Sequence, residues 1–129
     1  MADTLDDLKR NLQSLANSIS SKLNERQGYL DKADEIQKVY DRLARDKKTI
    51  KEYRNDIVYF YKESYTYKPS IQDLRDSYDD VISNIDINLD ALNNQILSYK
   101  NKASGCLGSL GYMQIAYNSV KTQIQNWTN

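Results

Sequence analysis

Histidine is absent from this sequence, and cysteine and proline each occur once. A single cysteine cannot form an intramolecular disulfide, and without histidine it does not provide the Cys/His ligand set of a metal site. Pairs in which histidine activates a serine or cysteine nucleophile are also excluded. The acidic residues are scattered as on a solvated helix surface. We therefore expect no catalytic residue, no metal ligand and no cofactor, and the protein is not expected to be an enzyme.

Long apolar runs are also missing, so no stretch of about 18 residues is expected to span a bilayer. The N-terminal sequence MADTLDDLKRNL is acidic and unlike a Sec signal peptide. We expect a cytoplasmic protein, with export by a route that needs no cleaved signal left open. The 18 basic and 18 acidic residues balance, so no overall field favours nucleic acid or a membrane surface.

The four glycines, single proline and 28% charged residues are typical of long helices. In the second half, apolar or aromatic residues recur at steps of three or four, with one stutter from Val81 through Ile85 to Leu89. This pattern predicts a heptad-type seam on a helix over about residues 71–127. Its positions are Ile71, Leu74, Tyr78, Val81, Ile85, Leu89, Leu92, Ile96, Tyr99, Ala103, Cys106, Leu110, Met113, Tyr117, Val120, Ile124 and Trp127.

The first half has a rougher seam, which predicts a helix over about residues 4–64. Lys47 and Arg54 interrupt the seam, while Val39, Tyr53 and Phe60 widen one side of it. The apolar positions are Leu5, Leu8, Leu12, Leu15, Ile19, Leu23, Leu30, Ile36, Tyr40, Leu43, Ile50, Ile57 and Tyr61.

Between the halves, SYTYKPSIQD contains the only proline and predicts a turn over about residues 65–70. Two arms of similar length joined by a short turn predict an all-α, coiled-coil-like antiparallel hairpin, forming a single domain over residues 1–129. The hairpin should place residue i opposite roughly residue 135 minus i. Because two helices bury only one stripe each, we expect a partner or self-association.

Three glycines lie three residues apart in ASGCLGSLGYMQ, where each costs a helix about 1 kcal/mol relative to alanine. With Ala103 at heptad position a, Gly105, Gly108 and Gly111 lie at c, f and b, away from the seam. A continuous helix would then present bare backbone as a docking notch or hinge, at the level of Gly28. The alternative is a kink or break near residues 105–111, followed by a short third helix.

Charge is also unevenly distributed. From Ala91 to Asn129 there is no acidic residue, and Lys22 is the only charge between Asn11 and Asn24. Neutral polar groups cost less to bury than charges, so we expect these segments to contact partner helices; compositional drift is the alternative. The expected partner-binding residues are Gly28, Ser14, Asn17 and Ser21 in the first helix, with Gly105, Leu107, Gly108, Gly111 and Tyr112 in the second.

Aromatic residues crowd the turn, with Tyr59, Phe60, Tyr65 and Tyr67 forming an expected tip cluster. Such a cluster can anchor a partner, but it can equally close the end of a two-helix pair. Trp127 and Cys106 both fit the seam, so core packing is the expected role of each.

The N-terminal repeat LKRNLQSLANSISSKLNERQGYLDKADEIQKVYDRL, the segment LRDSYDDVISNIDINLDALNNQILSYKNK and the polar final helix resemble one family. These are the YwqH-like small helical proteins encoded beside LXG-domain toxins in Gram-positive bacteria. Where relatives carry Trp-x-Gly near the mid-chain turn, this sequence has Tyr67-Lys68-Pro69.

The resemblance implies a non-enzymatic accessory of type VII secretion that binds the helical N-terminal domain of a cognate LXG toxin and supports its export. Co-export with the toxin and a second small helical accessory belong to the same expectation. One alternative is a self-assembling coiled-coil protein that binds only itself. A rod associated with DNA or a membrane is the other, and the absence of a basic stripe argues against it.

Overall fold

The computed structural model describes residues 4–64 and 68–127, apart from the side chains of residues 60–64 and 68–70. Over these residues the chain forms helix α1 (Leu5–Ser64) and helix α2 (Lys68–Gln125), with no strand. The two helices pack against each other. The predicted all-α helical hairpin is therefore confirmed.

Helix α1 begins with a reciprocal cap. The Asp7 amide donates a 3.1 Å hydrogen bond to the Thr4 hydroxyl oxygen, and the Thr4 amide donates to the Asp7 carboxylate at 3.3 Å. Two amides that lack a partner within the helix are thereby satisfied. Asp6 and Asp7 also place negative charge in the first turn, where the helix dipole favours it.

Helix α2 begins at Lys68, three residues earlier than the sequence predicts. Pro69 therefore lies in the first turn, where its missing N–H costs nothing. The remaining residues of the predicted turn, 65–67, lie outside the described residues. At the other end, α2 stops at Gln125, so Trp127 follows the helix and is more than one-third exposed. The prediction that Trp127 continues the buried seam is wrong.

The three clustered glycines do not interrupt α2, which continues through Gly105, Gly108 and Gly111 to Gln125. None of them adopts a positive φ, and a Cβ added to any of them would meet open space. The alternative of a break followed by a third helix is therefore wrong. These glycines are neither turn residues nor forced by close packing within the chain.

The helices divide into two compact units. The first unit contains the chain up to Ala33 together with the chain from Ser98 onwards, and the second contains Asp34–Leu97. Each unit thus pairs one segment of α1 with one segment of α2. All four glycines belong to the first unit.

In the second unit, one set of buried and half-buried residues follows a regular alternation of three- and four-residue steps on both helices. On α1 this seam comprises Ile36, Tyr40, Leu43, Lys47, Ile50, Arg54 and Ile57; on α2 it comprises Ile71, Arg75, Tyr78, Ile82, Ile85, Leu89, Leu92 and Ile96. Lys47 pairs with Asp86, and Arg54 Nε lies 2.5 Å from Asp79 Oδ1. These pairs show an antiparallel arrangement close to the expected register, in which Lys47 would face Asn88.

This seam differs from the prediction at several positions. Lys47 and Arg54 belong to it, although the sequence reading treats them as interruptions. Val39 and Tyr53, expected to widen the seam, are exposed. On α2 the expected seam residues Leu74 and Val81 are also exposed, and their neighbours Arg75 and Ile82 take their places. With these substitutions the predicted stutter disappears.

The first unit has a comparable seam with smaller side chains at its centre. On α1 it comprises Leu5, Leu8, Leu12, Leu15, Ile19, Lys22, Arg26, Tyr29 and Ala33; on α2 it comprises Tyr99, Ala103, Cys106, Leu110, Met113, Tyr117, Val120 and Ile124. The most buried residues are Ala33 and Ala103, at 1% and 2% exposure. The predicted seam residue Leu23 is instead about half exposed, because the alternating steps place Lys22 on the seam.

Neither described helix contains an apolar stretch long enough to cross a membrane.

Candidate functional site

A shallow groove in the first unit brings together residues from both helices. One part is lined on α1 by small polar residues and on α2 by Met113; the next part is lined by Tyr29 on α1 and by Lys102, Gly105, Cys106 and Ser109 on α2. Lys22 and Glu25 line both parts, so the two depressions adjoin. We call this the serine groove, after its α1 residues Ser14, Asn17, Ser18 and Ser21.

An ion pair lies in the middle of the serine groove. Lys22 Nζ donates a 2.7 Å hydrogen bond to Glu25 Oε2, and the Tyr29 hydroxyl donates to Glu25 Oε1 at 3.2 Å. The bond from Lys22 lowers the pKa of Glu25, and the same bond raises the pKa of Lys22. The bond to Glu25 likewise raises the pKa of Tyr29. The one carboxylate of the groove is therefore held ionised and already has two donors.

Lys102 contributes a second cation with different partners. Its Nζ lies 5.2 Å from the centroid of the Tyr99 ring and 5.9 Å from that of Tyr29. The two rings are tilted by 33° with centroids 6.4 Å apart. Such contacts between a cation and aromatic rings contribute about 0.5–1 kcal/mol at exposed sites. Among the described residues no carboxylate forms an ion pair with Lys102.

Two groups of the first-unit seam are buried, and one of them, Cys106, lines the groove. Cys106 is 5% exposed, as expected of a small residue at a core position. Arg26 Nε is buried and makes no hydrogen bond within the described chain. A buried donor without a partner costs about 1–3 kcal/mol. The seam of the first unit therefore contains a polar group that the chain itself leaves unsatisfied.

The structure separates the predicted partner-binding residues into two surfaces. Ser14, Asn17, Ser21 and Gly105 line the serine groove. Gly108, Gly111 and Tyr112 instead lie on the exposed side of α2, with Leu107 at its margin. We call Gly108, Gly111, Tyr112 and Ile115 the outer face of α2.

Ile115 on the outer face is 69% exposed and was missed by the sequence reading, although it lies one heptad after Gly108. Gly28 on α1 is exposed and neighbours Tyr29, which lines the groove with Gly105.

Of the predicted tip cluster, Tyr59 is 68% exposed. The side chain of Phe60 lies outside the described residues, as do Tyr65 and Tyr67. Both interpretations of the cluster, as an anchor and as a closure, therefore stay predictions.

The two units differ in charge as well as in packing. The described first unit contains eight basic and four acidic residues. Within α2, residues 76–97 carry five aspartates and no basic residue, whereas residues 98–127 carry three lysines and no acidic residue. Charge on this helix is thus segregated along the chain.

Within the described residues, no group of three or more Cys, Asp or Glu side chains converges on a point that could hold a metal ion. Comparisons with protein-family models, curated proteins and solved structures gave no match.

Proposed function

We propose that this protein is a non-enzymatic accessory that binds the helical N-terminal domain of a type VII-secreted LXG-type toxin and supports its export. The observation that carries the proposal is the serine groove of the first unit. It comprises two adjoining depressions between the helices, which are open to solvent and lined in large part by small side chains. A groove of this form accommodates a third helix, which gains apolar contact with Met113 and close approach at Gly105.

The chemistry of the groove favours a helix as its occupant. Ser14, Asn17, Ser18 and Ser21 are neutral, so covering them costs less than covering charged residues. The one acidic residue, Glu25, is neutralised by Lys22. Lys102, which forms no ion pair among the described residues, remains available to a carboxylate of the partner.

The second unit does not share these features. Its seam cations Lys47 and Arg54 are paired across the helices by Asp86 and Asp79, and the unit contains most of the charged residues of the chain. We therefore assign partner binding to the first unit and a structural role to the second.

Co-expression tests the proposal. The probe is the N-terminal helical domain of the LXG-type toxin encoded nearest to this gene, and the expected result is a complex that co-purifies through size-exclusion chromatography. Ser21→Trp fills the groove and should weaken the affinity at least tenfold, because the added ring occupies the position of the partner helix.

Ser83→Trp is the matched control, since Ser83 is an exposed serine on α2 in the second unit. It should leave the affinity unchanged. Equal effects of the two substitutions would contradict the assignment to the groove, and the absence of any complex with wild-type protein would contradict the function itself.

A further inference from the structure

We propose that the serine groove recognises a carboxylate: the partner helix that occupies it carries an aspartate or glutamate, which pairs with Lys102 beside the bare backbone of Gly105. The inference rests on the proposed function, because it names the chemistry of the partner helix at one position of the same groove. It makes Lys102 the residue that distinguishes an acidic partner helix from a basic one.

Lys102 is a cation of the groove whose charge the chain does not neutralise. Its Nζ lies 5.2 Å from the centroid of the Tyr99 ring and 5.9 Å from that of Tyr29, so one ring of each helix positions the ammonium group. Among the described residues Lys102 forms no ion pair. Glu25, the one carboxylate that lines the groove, accepts hydrogen bonds from Lys22 and Tyr29 instead.

The surface beside Lys102 allows a helix to approach closely. Lys102, Gly105 and Ser109 line the same depression at spacings of three and four residues, so they lie along one face of α2. Nothing lies within 4 Å of the point where the Cβ of Gly105 would be. A helix that packs on this bare backbone brings a short acidic side chain within reach of the ammonium group, and the Ser109 hydroxyl offers a second donor.

Charge identifies the occupant as an acidic helix. Two lysines and one glutamate line the groove, which leaves one positive charge in excess. The described first unit as a whole contains eight basic and four acidic residues. Complementary charges favour the pairing of two surfaces, and like charges placed opposite each other disfavour it. A partner helix with a carboxylate opposite Lys102 is therefore preferred over one with a basic residue there.

Isothermal titration calorimetry with the toxin's N-terminal helical domain tests the inference. Lys102→Glu should weaken the affinity at least about tenfold, because it replaces an attraction by a repulsion, whereas Lys102→Arg should stay within about threefold of wild type. Lys121→Glu makes the same change of net charge at an exposed residue of the same helix outside the groove and should also stay within about threefold. Equal weakening by the two glutamate variants would overturn the inference. Circular dichroism confirms that each variant is folded.

A charge-swap scan identifies the carboxylate. Each aspartate and glutamate of the toxin domain is replaced by lysine in turn and titrated against the Lys102→Glu variant. One replacement should recover most of the lost affinity, because the pair is restored with its charges exchanged. Recovery by none of them would overturn the inference, while binding of the toxin domain by the wild-type protein would still support the proposed function.

A synthetic peptide decides the inference where the wild-type protein binds no toxin domain. The probe is an amphipathic alanine- and leucine-based helix of about 20 residues with one central glutamate, and its matched control has glutamine there. The glutamate peptide should shift the amide resonances of Gly105 and Ser109 more than the control does, and Lys102→Met should remove the difference. Equal shifts would overturn the inference together with the proposed function. Larger shifts with the glutamate peptide would uphold the inference and contradict only the choice of a toxin as partner.

Discussion

The two units use the same heptad spacing but stabilise it differently. The second unit places Lys47 and Arg54 on its seam and pairs each with an aspartate of the facing helix. The first unit has no ion pair between its described helices and closes around Ala33, Ala103 and Cys106. The second unit thus pairs the seam cations Lys47 and Arg54 within the chain. The first unit instead has small core residues, a buried Arg26 Nε without a hydrogen bond, and fewer charged residues.

The comparison shows how one helical hairpin can satisfy its polar seam residues in one part and leave a shallow groove between its helices in another. Ion pairs across a seam specify the register of two helices, because a shift would leave charged groups without partners. Small residues bring helices close together but leave shallow grooves beside them. We infer that binding is concentrated where the core is small and charged residues are few.

The largest expected effect comes from enlarging the small core of the first unit. Ala103→Leu should reduce the free energy of unfolding by about 1–3 kcal/mol, because extra methyl groups at a closely packed position force the helices apart. Ala91→Leu is the control, since Ala91 lies exposed on the same helix, and it should change stability by less than about 0.5 kcal/mol. Urea denaturation measures both. Tolerance of leucine at position 103 would show that the first unit is loosely packed.

The ion pairs of the second unit can be broken and restored. Arg54→Glu should cost about 1 kcal/mol, since the pair is partly exposed and solvent screens it. The double variant Arg54→Glu with Asp79→Arg should recover most of that loss. Lys38→Glu, at an exposed residue without an ion pair in the described chain, serves as the control. A double-mutant cycle with no coupling would indicate that these pairs do not specify the register.

Alanine at the clustered glycines should stabilise the first unit. Gly105→Ala should raise stability by about 0.5–1 kcal/mol, because alanine loses less backbone entropy in a helix and its Cβ meets no atom within 4 Å. Thermal unfolding followed by circular dichroism measures the change. A fall in the unfolding temperature would contradict the continuous helix, since only a residue with positive φ would then require glycine.

The smallest expected effect is a pH dependence of the stability, which arises from two carboxylates of the first unit. Hydrogen bonds from Thr4 lower the pKa of Asp7, with Arg10 adding to the effect, and Lys22 lowers the pKa of Glu25. A carboxyl group whose pKa is lower in the folded than in the unfolded chain stabilises the fold when the pH is above its pKa in the unfolded chain. That stabilisation is lost as the pH falls through its pKa in the folded chain. The unfolding temperature should therefore fall on acidification below about pH 4. Glu25→Gln should flatten that fall, and an unchanged pH profile in this variant would contradict the assignment.

The sequence predicts the helices and their pairing well, because apolar periodicity, one proline and balanced charge all favour a hairpin. It fails where the seam carries charge. A seam chosen by apolar character contains Leu23, Leu74 and Val81. A seam chosen by strictly alternating steps of three and four residues contains Lys22, Arg75 and Ile82 instead, and these are the residues that the structure places on the seam. Long basic side chains occupy such positions because their stems pack on the seam while their charged ends reach its margin.

The candidate site was predicted only in part. Low charge identified the segments that contain Ser14, Asn17 and Ser21, but spacing along one helix does not reveal which residue of the other helix lies beside them. Met113 and Lys102 enter the groove only through the register of the two helices. The apolar seam of α2 gives no indication of Ile115, which lies on the exposed side of the helix.

Hydrogen–deuterium exchange, measured on the protein alone and in complex with the toxin's N-terminal helical domain, tests the central claim most directly. We predict that binding slows exchange in residues 14–29 and 102–113, which contain the residues that line the serine groove. Residues 45–57 and 71–90 of the second unit should exchange as they do in the protein alone. Protection confined to the second unit, or absent from the groove in a stable complex, would contradict the account.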